Sequence, residues 1–419
     1  MLIIDRVATA PCTDPIQEWF RILRQGNVKL LLLVLALSAV TATAQQPSSS
    51  TTWASYVRDF DNYVSKNDIV GAATLLVRDG HIVSHHEAGM GDVALKQPVD
   101  ENTIFHYGSI TKTLTAITIL QLRDRGKLSL DDPVTRYIPE LRRVNNPYGS
   151  SESLTIRMLL NHSSGLQNRT WPWRKDLPWE PFEPTSWEQL VAMLPYQQLA
   201  FKPGSKFSYS NPALIYAARI VETVTGEPWL TYVQKNVFAP LDMTRSYFST
   251  TPYHLAQHRS NNYTIHRDEA GKIERLTNGR DFDPGITNPN GGWNAPLTDV
   301  AQYLAFLTYA GSDNAEKEHL YETVLKHSSV EEMFKPTIVT TESTPEKSEQ
   351  VGIAFFLLTR NGIKFVGHTG SQNGFTAFMY FNPAKRTGVV AAFNTFNEVR
   401  PERSAEFKEL YETALELLR

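Results

Sequence analysis

The sequence predicts an α/β protein of the α+β type, in which strands from both ends of the chain form one antiparallel sheet around a mainly helical insertion. Two observations lead to this prediction. Segments with strand character occur near the beginning and again near the end of the chain, whereas helical periodicity dominates the middle. The links between the last strand-like segments are too short for a crossover helix, so these strands should pair antiparallel.

The individual elements follow from local patterns. TTWASYVRDFDNYVSKND has the periodicity of an amphipathic helix, and two strands follow it around the hairpin signal Asp79-Gly80. A helical pattern begins at Ser109, three or four strands return near the end of the chain, and RSAEFKELYETALELL predicts a final helix. The predicted folded domain is 53–419, with its α/β part at about 53–120 and 310–419 and its helical part at about 121–309.

Residues 1–44 are predicted to be an upstream extension and a secretory signal peptide. Lys29 precedes an apolar run from Leu30 to Val40, and small residues follow it up to Ala44. We expect cleavage after Ala44, a linker at residues 45–52, and an exported protein that is periplasmic or secreted. An uncleaved membrane anchor is the alternative, although the run is shorter than the roughly 20 apolar residues of a stable span.

Composition excludes several classes of function. The formal net charge is -3, and no basic stripe suits the phosphates of a nucleic acid. The single cysteine, Cys12, lies before the predicted cleavage point, so the mature chain would have no disulfide or thiolate ligand. His254 and His258 have helical i, i+4 spacing without an evident third ligand, so we predict exposed histidines and no metal. The G-x-S-x-G, H-E-x-x-H and phosphate-loop motifs are absent.

Three short motifs carry the chemistry: Ser109-Ile110-Thr111-Lys112, Tyr209-Ser210-Asn211 and His368-Thr369-Gly370. On a helix, residues i and i+3 share a face, so the amine of Lys112 can reach the hydroxyl of Ser109. A serine hydroxyl needs such a base, and lysine can serve if burial or nearby positive charge lowers its pKa. An isolated S-x-x-K is common, and on its own it is better explained by two polar residues on a solvated first turn.

Together, the order and spacing of the three motifs resemble the serine β-lactamase and penicillin-binding-protein superfamily, and most closely its class C β-lactamase-like serine hydrolases. Flanking segments such as LTIRMLLNHSSGL and GHTGSQNGFTAFMYFNP support the resemblance over nearly the whole mature chain. The resemblance implies that Ser109 is the acylated nucleophile, Lys112 its base and Tyr209 a proton relay. It also implies that Asn211 holds the substrate carbonyl and Lys112.

The resemblance further implies a substrate-binding strand at His368, Thr369, Gly370 and Ser371, with an oxyanion hole made by the backbone N–H groups of Ser109 and Ser371. Each residue has a plainer alternative: Tyr209 could be a core phenol, and Asn211 a helix N-cap ahead of Pro212.

Position 368 departs from the family. Class C enzymes and D,D-peptidases usually carry lysine there, which meets a substrate carboxylate, whereas this chain has histidine. A histidine with an ordinary pKa near 6.5 is mostly neutral at pH 7. We therefore expect weak selection for anionic substrates, doubtful β-lactamase activity, and an acid limb in the pH–rate profile that depends on His368.

Two further features lie outside the motifs. Trp171, Trp173, Trp179, Phe182 and Trp187 crowd one segment, where they either line the substrate pocket or pack on one another. In LLNHSSGL, His162 is predicted to be a hydrogen-bonded structural residue.

The sequence therefore predicts a serine hydrolase that cleaves an ester, amide or peptide bond of a small-molecule or peptide substrate, without a cofactor. The alternatives are a β-lactamase or D-alanyl-D-alanine carboxypeptidase, a non-catalytic penicillin-binding or sensor protein, and a self-assembling structural protein. The pattern does not distinguish the substrates or predict the oligomeric state, because these depend on pocket and surface shape.

Overall fold

The computed structural model describes residues 51–167, 184–340, 344 and 346–419. The predicted signal peptide, Cys12, and the aromatic residues Trp171, Trp173, Trp179 and Phe182 lie outside these residues. Within the described part of the chain, no helix combines the length and apolar character needed to cross a membrane.

A nine-stranded antiparallel sheet is the largest sheet of the described residues, with the strand order β3-β2-β1-β14-β13-β12-β11-β10-β9. Its strands are β1 (Gly71–Arg78), β2 (His81–Asp92), β3 (Gln97–Pro98), β9 (Ile338–Val339), β10 (Lys347–Val351), β11 (Phe356–Arg360), β12 (Ile363–Gln372), β13 (Phe375–Asn382) and β14 (Thr387–Phe393). Strand β1 pairs with β14, from Ala72 opposite Phe393 to Arg78 opposite Thr387. The prediction of one antiparallel sheet from both ends of the chain is confirmed.

Two small three-stranded sheets were not predicted. They have the orders β4-β8-β5 and β15-β6-β7. Their strands are β4 (Ile104–His106), β5 (Tyr247–Phe248), β6 (Asn262–Arg267), β7 (Ile273–Gly279), β8 (Trp293–Pro296) and β15 (Thr395–Asn397). Several of them have only two to four residues, which is too short to show the alternation that identifies a strand in a sequence.

The α-helices are α1 (Trp53–Lys66), α2 (Thr111–Asp124), α3 (Ile156–Leu160), α4 (Trp187–Met193), α5 (Asn211–Thr225), α6 (Trp229–Val233), α7 (Asn288–Gly291), α8 (Leu297–Leu307), α9 (Ala315–Val324), α10 (His327–Met333) and α11 (Arg403–Glu416). The predicted first and last helices, α1 and α11, cover one face of the large sheet through a core that includes Phe60, Phe393 and Leu410. The other face packs against the helices of the insertion, including α2 and α5, in a larger core. The catalytic candidates lie in this second layer, where helices meet the sheet.

The Asp79-Gly80 hairpin is confirmed. Both residues have positive φ, 48° and 78°, as a two-residue type I′ turn requires, and they join β1 to β2. His254 and His258 lie in a 3-10 turn, Tyr253–His258, and not in an α-helix. No cluster of three potential metal-binding side chains occurs among the described residues.

Candidate active site

Ser109 lies in a tight turn that leads into a helix. The turn is a 3-10 segment, Gly108–Ile110, and α2 begins only at Thr111, so the predicted helix starts two residues after Ser109. The hydroxyl of Thr111 donates a hydrogen bond to the carbonyl oxygen of Gly108 at 2.6 Å and accepts one from the N–H of Trp293 at 3.0 Å. These bonds tie the turn to strand β8 and hold the Ser109 hydroxyl at the start of α2.

Lys112 is directly next to Ser109, as its spacing predicted. Its Nζ lies 2.9 Å from Ser109 Oγ and donates a hydrogen bond to the carbonyl oxygen of Asn290 at 2.6 Å. The side chain is 0% exposed, and burial alone holds the pKa of Lys112 well below its ordinary value. Because a neutral amine keeps a lone pair, Lys112 can bond to Asn290 and still accept the proton of Ser109.

Tyr209 faces the same hydroxyl from across the site. Its side chain hydrogen-bonds with Ser109, and Lys112 Nζ lies 5.0 Å from the centre of its ring. Burial raises the pKa of Tyr209 above its ordinary value, and the bond with Ser109 lowers it by less. Tyr209 is therefore a neutral phenol, which can donate a proton to a leaving group and be reprotonated through Lys112.

The end of strand β12 forms the opposite wall. Strand β11 pairs with β12 only as far as Gly367, whereas β13 continues to pair with it through Gln372. The stretch from His368 to Ser371 therefore has a strand neighbour on one side, and its other edge is directed to the site. His368, Thr369, Gly370 and Ser371 all line one cleft with Ser109 and Tyr209, so the predicted motifs do meet.

Two glycines allow the Ser109 turn and the strand to touch. A Cβ on Gly370 would overlap the carbonyl oxygen of Tyr107 and lie 3.1 Å from the amide nitrogen of Ser109. A Cβ on Gly108, which has φ 48°, would lie 2.8 Å from the amide nitrogen of Ser371. The amide nitrogens of Ser109 and Ser371 are thus neighbours, as a two-donor oxyanion hole requires.

His368 is buried and neutral. Burial lowers the pKa of His368 to about 3. Its Nδ1 donates to the carbonyl oxygen of Thr369 at 2.5 Å, and the ring lies between Tyr209 and Phe356. The expectation of an acid limb that depends on His368 is therefore wrong, because burial lowers the pKa of His368 far below its ordinary value near 6.5.

Asn211 is the first residue of α5, which packs against α2. The preceding residue, Ser210, is the N-cap, and its hydroxyl accepts a hydrogen bond from the N–H of Ala213 at 3.4 Å. The alternative that Asn211 is the N-cap is therefore wrong. Its proposed role in holding the substrate carbonyl and Lys112 stays a prediction.

The cleft has a volume of about 370 Å³ and extends past the strand to the start of α11. Beyond the catalytic candidates, its walls combine aromatic and polar side chains. The aromatic ones are Tyr63, Phe356, Phe396 and Phe407, and the polar ones include Asn67, Thr376 and Arg403. The one described member of the Trp-rich segment, Trp187, packs elsewhere, edge to face on Tyr216 and under the guanidinium of Arg219. Among the described residues, the apolar part of the wall thus comes from side chains that the sequence did not single out.

Sequence reasoning missed the contact of Asn290 with Lys112 and the position of His162. His162 stacks on the ring of Tyr209, with a centroid distance of 4.3 Å and an angle of 27°. Its place in the LLNHSSGL segment was noticed, but no local pattern reports which ring a buried histidine will contact.

Known proteins resemble this chain in sequence and in structure. The sequence pattern of the family described as Beta-lactamase matches residues 56–411. Protein flp of Staphylococcus aureus (strain COL) is 25% identical over 348 residues, which are 81% of this chain and 62% of that protein. Esterase EstB of Burkholderia gladioli is 31% identical over 257 residues, which are 56% of this chain and 64% of the esterase. The chain spans less than two thirds of the length of these curated relatives.

Among solved structures, the octameric penicillin-binding protein homologue from Pyrococcus abyssi is similar to this chain with a TM-score of 0.69. The two sequences are 25% identical, and the match covers 87% of this chain and 77% of that chain.

Proposed function

The chain belongs to the beta-lactamase family, whose pattern covers residues 56–411, and from this premise we propose that it is a serine hydrolase that forms an acyl-enzyme at Ser109. Its substrate would be an ester, an amide or a peptide. The observation that carries this proposal is the fully buried amine of Lys112, which lies 2.9 Å from the hydroxyl of Ser109. A lysine in this environment is a base, because burial disfavours its charged form.

In the acylation step, Lys112 Nζ takes the proton of Ser109 Oγ, and Oγ forms a bond to the carbonyl carbon of the substrate. The backbone N–H groups of Ser109 and Ser371 bind the oxyanion that develops, and such a pair contributes a few kcal/mol to the transition state. Tyr209 then donates its hydroxyl proton to the leaving oxygen or nitrogen as the carbonyl bond to that atom breaks. The proton on Lys112 restores the phenol.

In the deacylation step, a water molecule takes the place of the leaving group. Tyr209 and Lys112 accept one proton of the water as its oxygen attacks the acyl carbon. The bond between Oγ of Ser109 and the acyl carbon then breaks, Oγ recovers a proton, and the carboxylic acid leaves. The same groups act as acid in one direction and base in the other, so the cycle closes without a net change in the protein.

A substrate that is neutral next to the reacting bond suits this cleft best. His368 is uncharged near neutral pH because its pKa is about 3, so it offers no cation to a substrate carboxylate. The aromatic part of the cleft wall favours apolar groups on the substrate. The name of the relative EstB, an esterase, supports an ester substrate. A β-lactamase, a D-alanyl-D-alanine carboxypeptidase and a slowly acylated penicillin-binding sensor are the alternatives.

A substrate panel with Ser109→Ala as reference tests the proposal. Nitrophenyl esters of short and aromatic acids, D-amino-acid amides, D-alanyl-D-alanine peptides and nitrocefin would each be assayed for turnover. We expect fastest turnover with the esters, a mass shift at Ser109 with a fluorophosphonate, and loss of both in Ser109→Ala. Ser65→Ala, which removes an exposed hydroxyl from α1, is the matched control. Labelling of Ser109 without turnover of any substrate would favour the sensor alternative, and no labelling would contradict the proposed function.

We also propose that the protein is exported by its N-terminal signal and cleaved after Ala44. Amino-terminal sequencing of the mature protein from its native host would give Gln45 as the first residue. A protein that retains residues 30–40 in the membrane fraction would instead support the uncleaved anchor.

A further inference from the structure

His162 contacts residues 208–210, here called the Tyr209 segment, at three points. The N–H of Ser208 donates a hydrogen bond to the carbonyl oxygen of His162 at 2.8 Å. The N–H of Ser210 donates to Nδ1 of the His162 ring at 3.1 Å. The same ring is stacked on Tyr209, the residue between these two donors. His162 therefore binds the backbone of the residues on both sides of Tyr209 and also packs on one face of the Tyr209 ring.

The backbone of His162 adopts a conformation that ordinary residues avoid. Its φ is 59°, in the left-handed region, although its side chain is only 1% exposed and has a Cβ. A buried residue keeps such a conformation only when its surroundings require it, and strained residues of this kind are concentrated at functional sites. In this conformation, the carbonyl oxygen and Nδ1 of His162 both accept hydrogen bonds from the Tyr209 segment.

The hydrogen bond from Ser210 also defines the chemical state of the ring. An N–H donor directed at Nδ1 needs the lone pair of that nitrogen, so the proton of the neutral imidazole lies on Nε2. A protonated ring would lose this acceptor. Burial lowers the pKa of His162 well below its ordinary value, which agrees with a neutral ring.

We propose that His162 is a positioning residue for the hydrolysis, which keeps the hydroxyl of Tyr209 in contact with Ser109. This inference rests on the proposed function. His162 does not line the cleft, so its effect must pass through Tyr209. Lys112 Nζ and the ring of His368 also limit the space around the phenol. Proton transfer depends steeply on distance, and a displacement of about 1 Å can slow a reaction by about 100-fold.

Two substitutions at position 162 separate the contributions. His162→Ala removes the acceptor and the stacked ring. His162→Asn removes the ring but offers Oδ1 to the N–H of Ser210, and asparagine tolerates positive φ better than most residues. We expect kcat for an ester to fall by about tenfold or more in His162→Ala, with KM nearly unchanged, and to recover in large part in His162→Asn.

The decisive measurement is a double-mutant cycle with Tyr209→Phe. If His162 acts through the phenol, His162→Ala has less than about a twofold further effect on kcat once the hydroxyl is gone. Circular dichroism and the unfolding midpoint would show that each variant is folded. His327 serves as the matched control, because it also stacks on a tyrosine, Tyr309, with ring centroids 3.9 Å apart, but does not line the cleft. His327→Asn should leave kcat unchanged.

The outcomes separate this inference from the proposed function. An active wild-type protein in which His162→Ala slows turnover equally with and without the Tyr209 hydroxyl would overturn the positioning role alone. Unchanged kcat in His162→Ala would do the same. A wild-type protein that neither turns over esters nor reacts with a fluorophosphonate would refute the proposed function, and the positioning role with it.

Discussion

If Lys112 is neutral, its replacement should change both the rate of acylation and the free energy of unfolding. Lys112→Met preserves an unbranched side chain but removes the amine that faces Ser109 and Asn290. Removal of a general base typically slows a reaction by about 10²- to 10⁴-fold, which corresponds to about 3 to 5.5 kcal/mol in the barrier to acylation. The carbonyl oxygen of Asn290 loses its donor, which costs roughly 1–3 kcal/mol of stability.

The sign of the pH dependence follows from the direction of the pKa shift. In the unfolded chain Lys112 binds a proton up to its ordinary pKa of 10.5, whereas in the folded protein burial holds the pKa far lower. Between these two pKa values the unfolded state binds one more proton, so the free energy of unfolding rises with pH. The slope is about 1.4 kcal/mol per pH unit within this window, and Lys112→Met lacks this contribution.

Urea unfolding of the wild type and of Lys112→Met at pH 7, 8 and 9 would measure this contribution. Other titrating groups are common to both proteins, so their contributions largely cancel in the difference. We expect the stability of the wild type, relative to Lys112→Met, to increase with pH, by up to about 1.4 kcal/mol for each pH unit above the pKa of folded Lys112. A difference that does not change with pH would mean that folded Lys112 is protonated, and the assignment of a neutral base would be refuted.

Three further predictions concern the other walls of the site. His368→Gln should leave the shape of the kcat/KM profile between pH 5 and 8 unchanged, because the pKa of His368 is about 3 and its charge does not change in this range. An acid limb that the wild type shows and His368→Gln lacks would contradict the neutral state of His368. Tyr209→Phe should lower kcat for esters by about 10²- to 10⁴-fold. Because burial raises the pKa of Tyr209, the wild type should show no basic limb from this phenol below pH 10. A pH–rate profile of both proteins would check these two expectations. Gly370→Ala should lower kcat strongly with little loss of the overall fold. The added Cβ would overlap the carbonyl oxygen of Tyr107 and push strand β12 away from Ser109. A normal kcat would show that β12 and the Ser109 turn need not be in contact.

Local patterns were sufficient for the elements whose residues interact within one or two turns of chain. Asp79-Gly80 specified a hairpin because glycine readily adopts the positive φ that a type I′ turn needs, and an aspartate tolerates it. Ser109 and Lys112 could be paired because residues three apart share a helical face. The short strands β4 and β5 were missed, because their hydrogen bonds go to β8, which is far away in the sequence.

The amino-acid sequence alone determined which groups the site contains: a hydroxyl and an amine one turn apart, a phenol about a hundred residues later, and a histidine in the last motif. Only the tertiary structure decided their chemical states. A pKa depends on what surrounds a group, and the sequence does not report that Lys112 and His368 are withdrawn from water. Their partners are equally non-local, since Asn290 is 178 residues from Lys112 and Ser210 is 48 residues from His162. Contacts over such separations arise from packing, which no local pattern encodes.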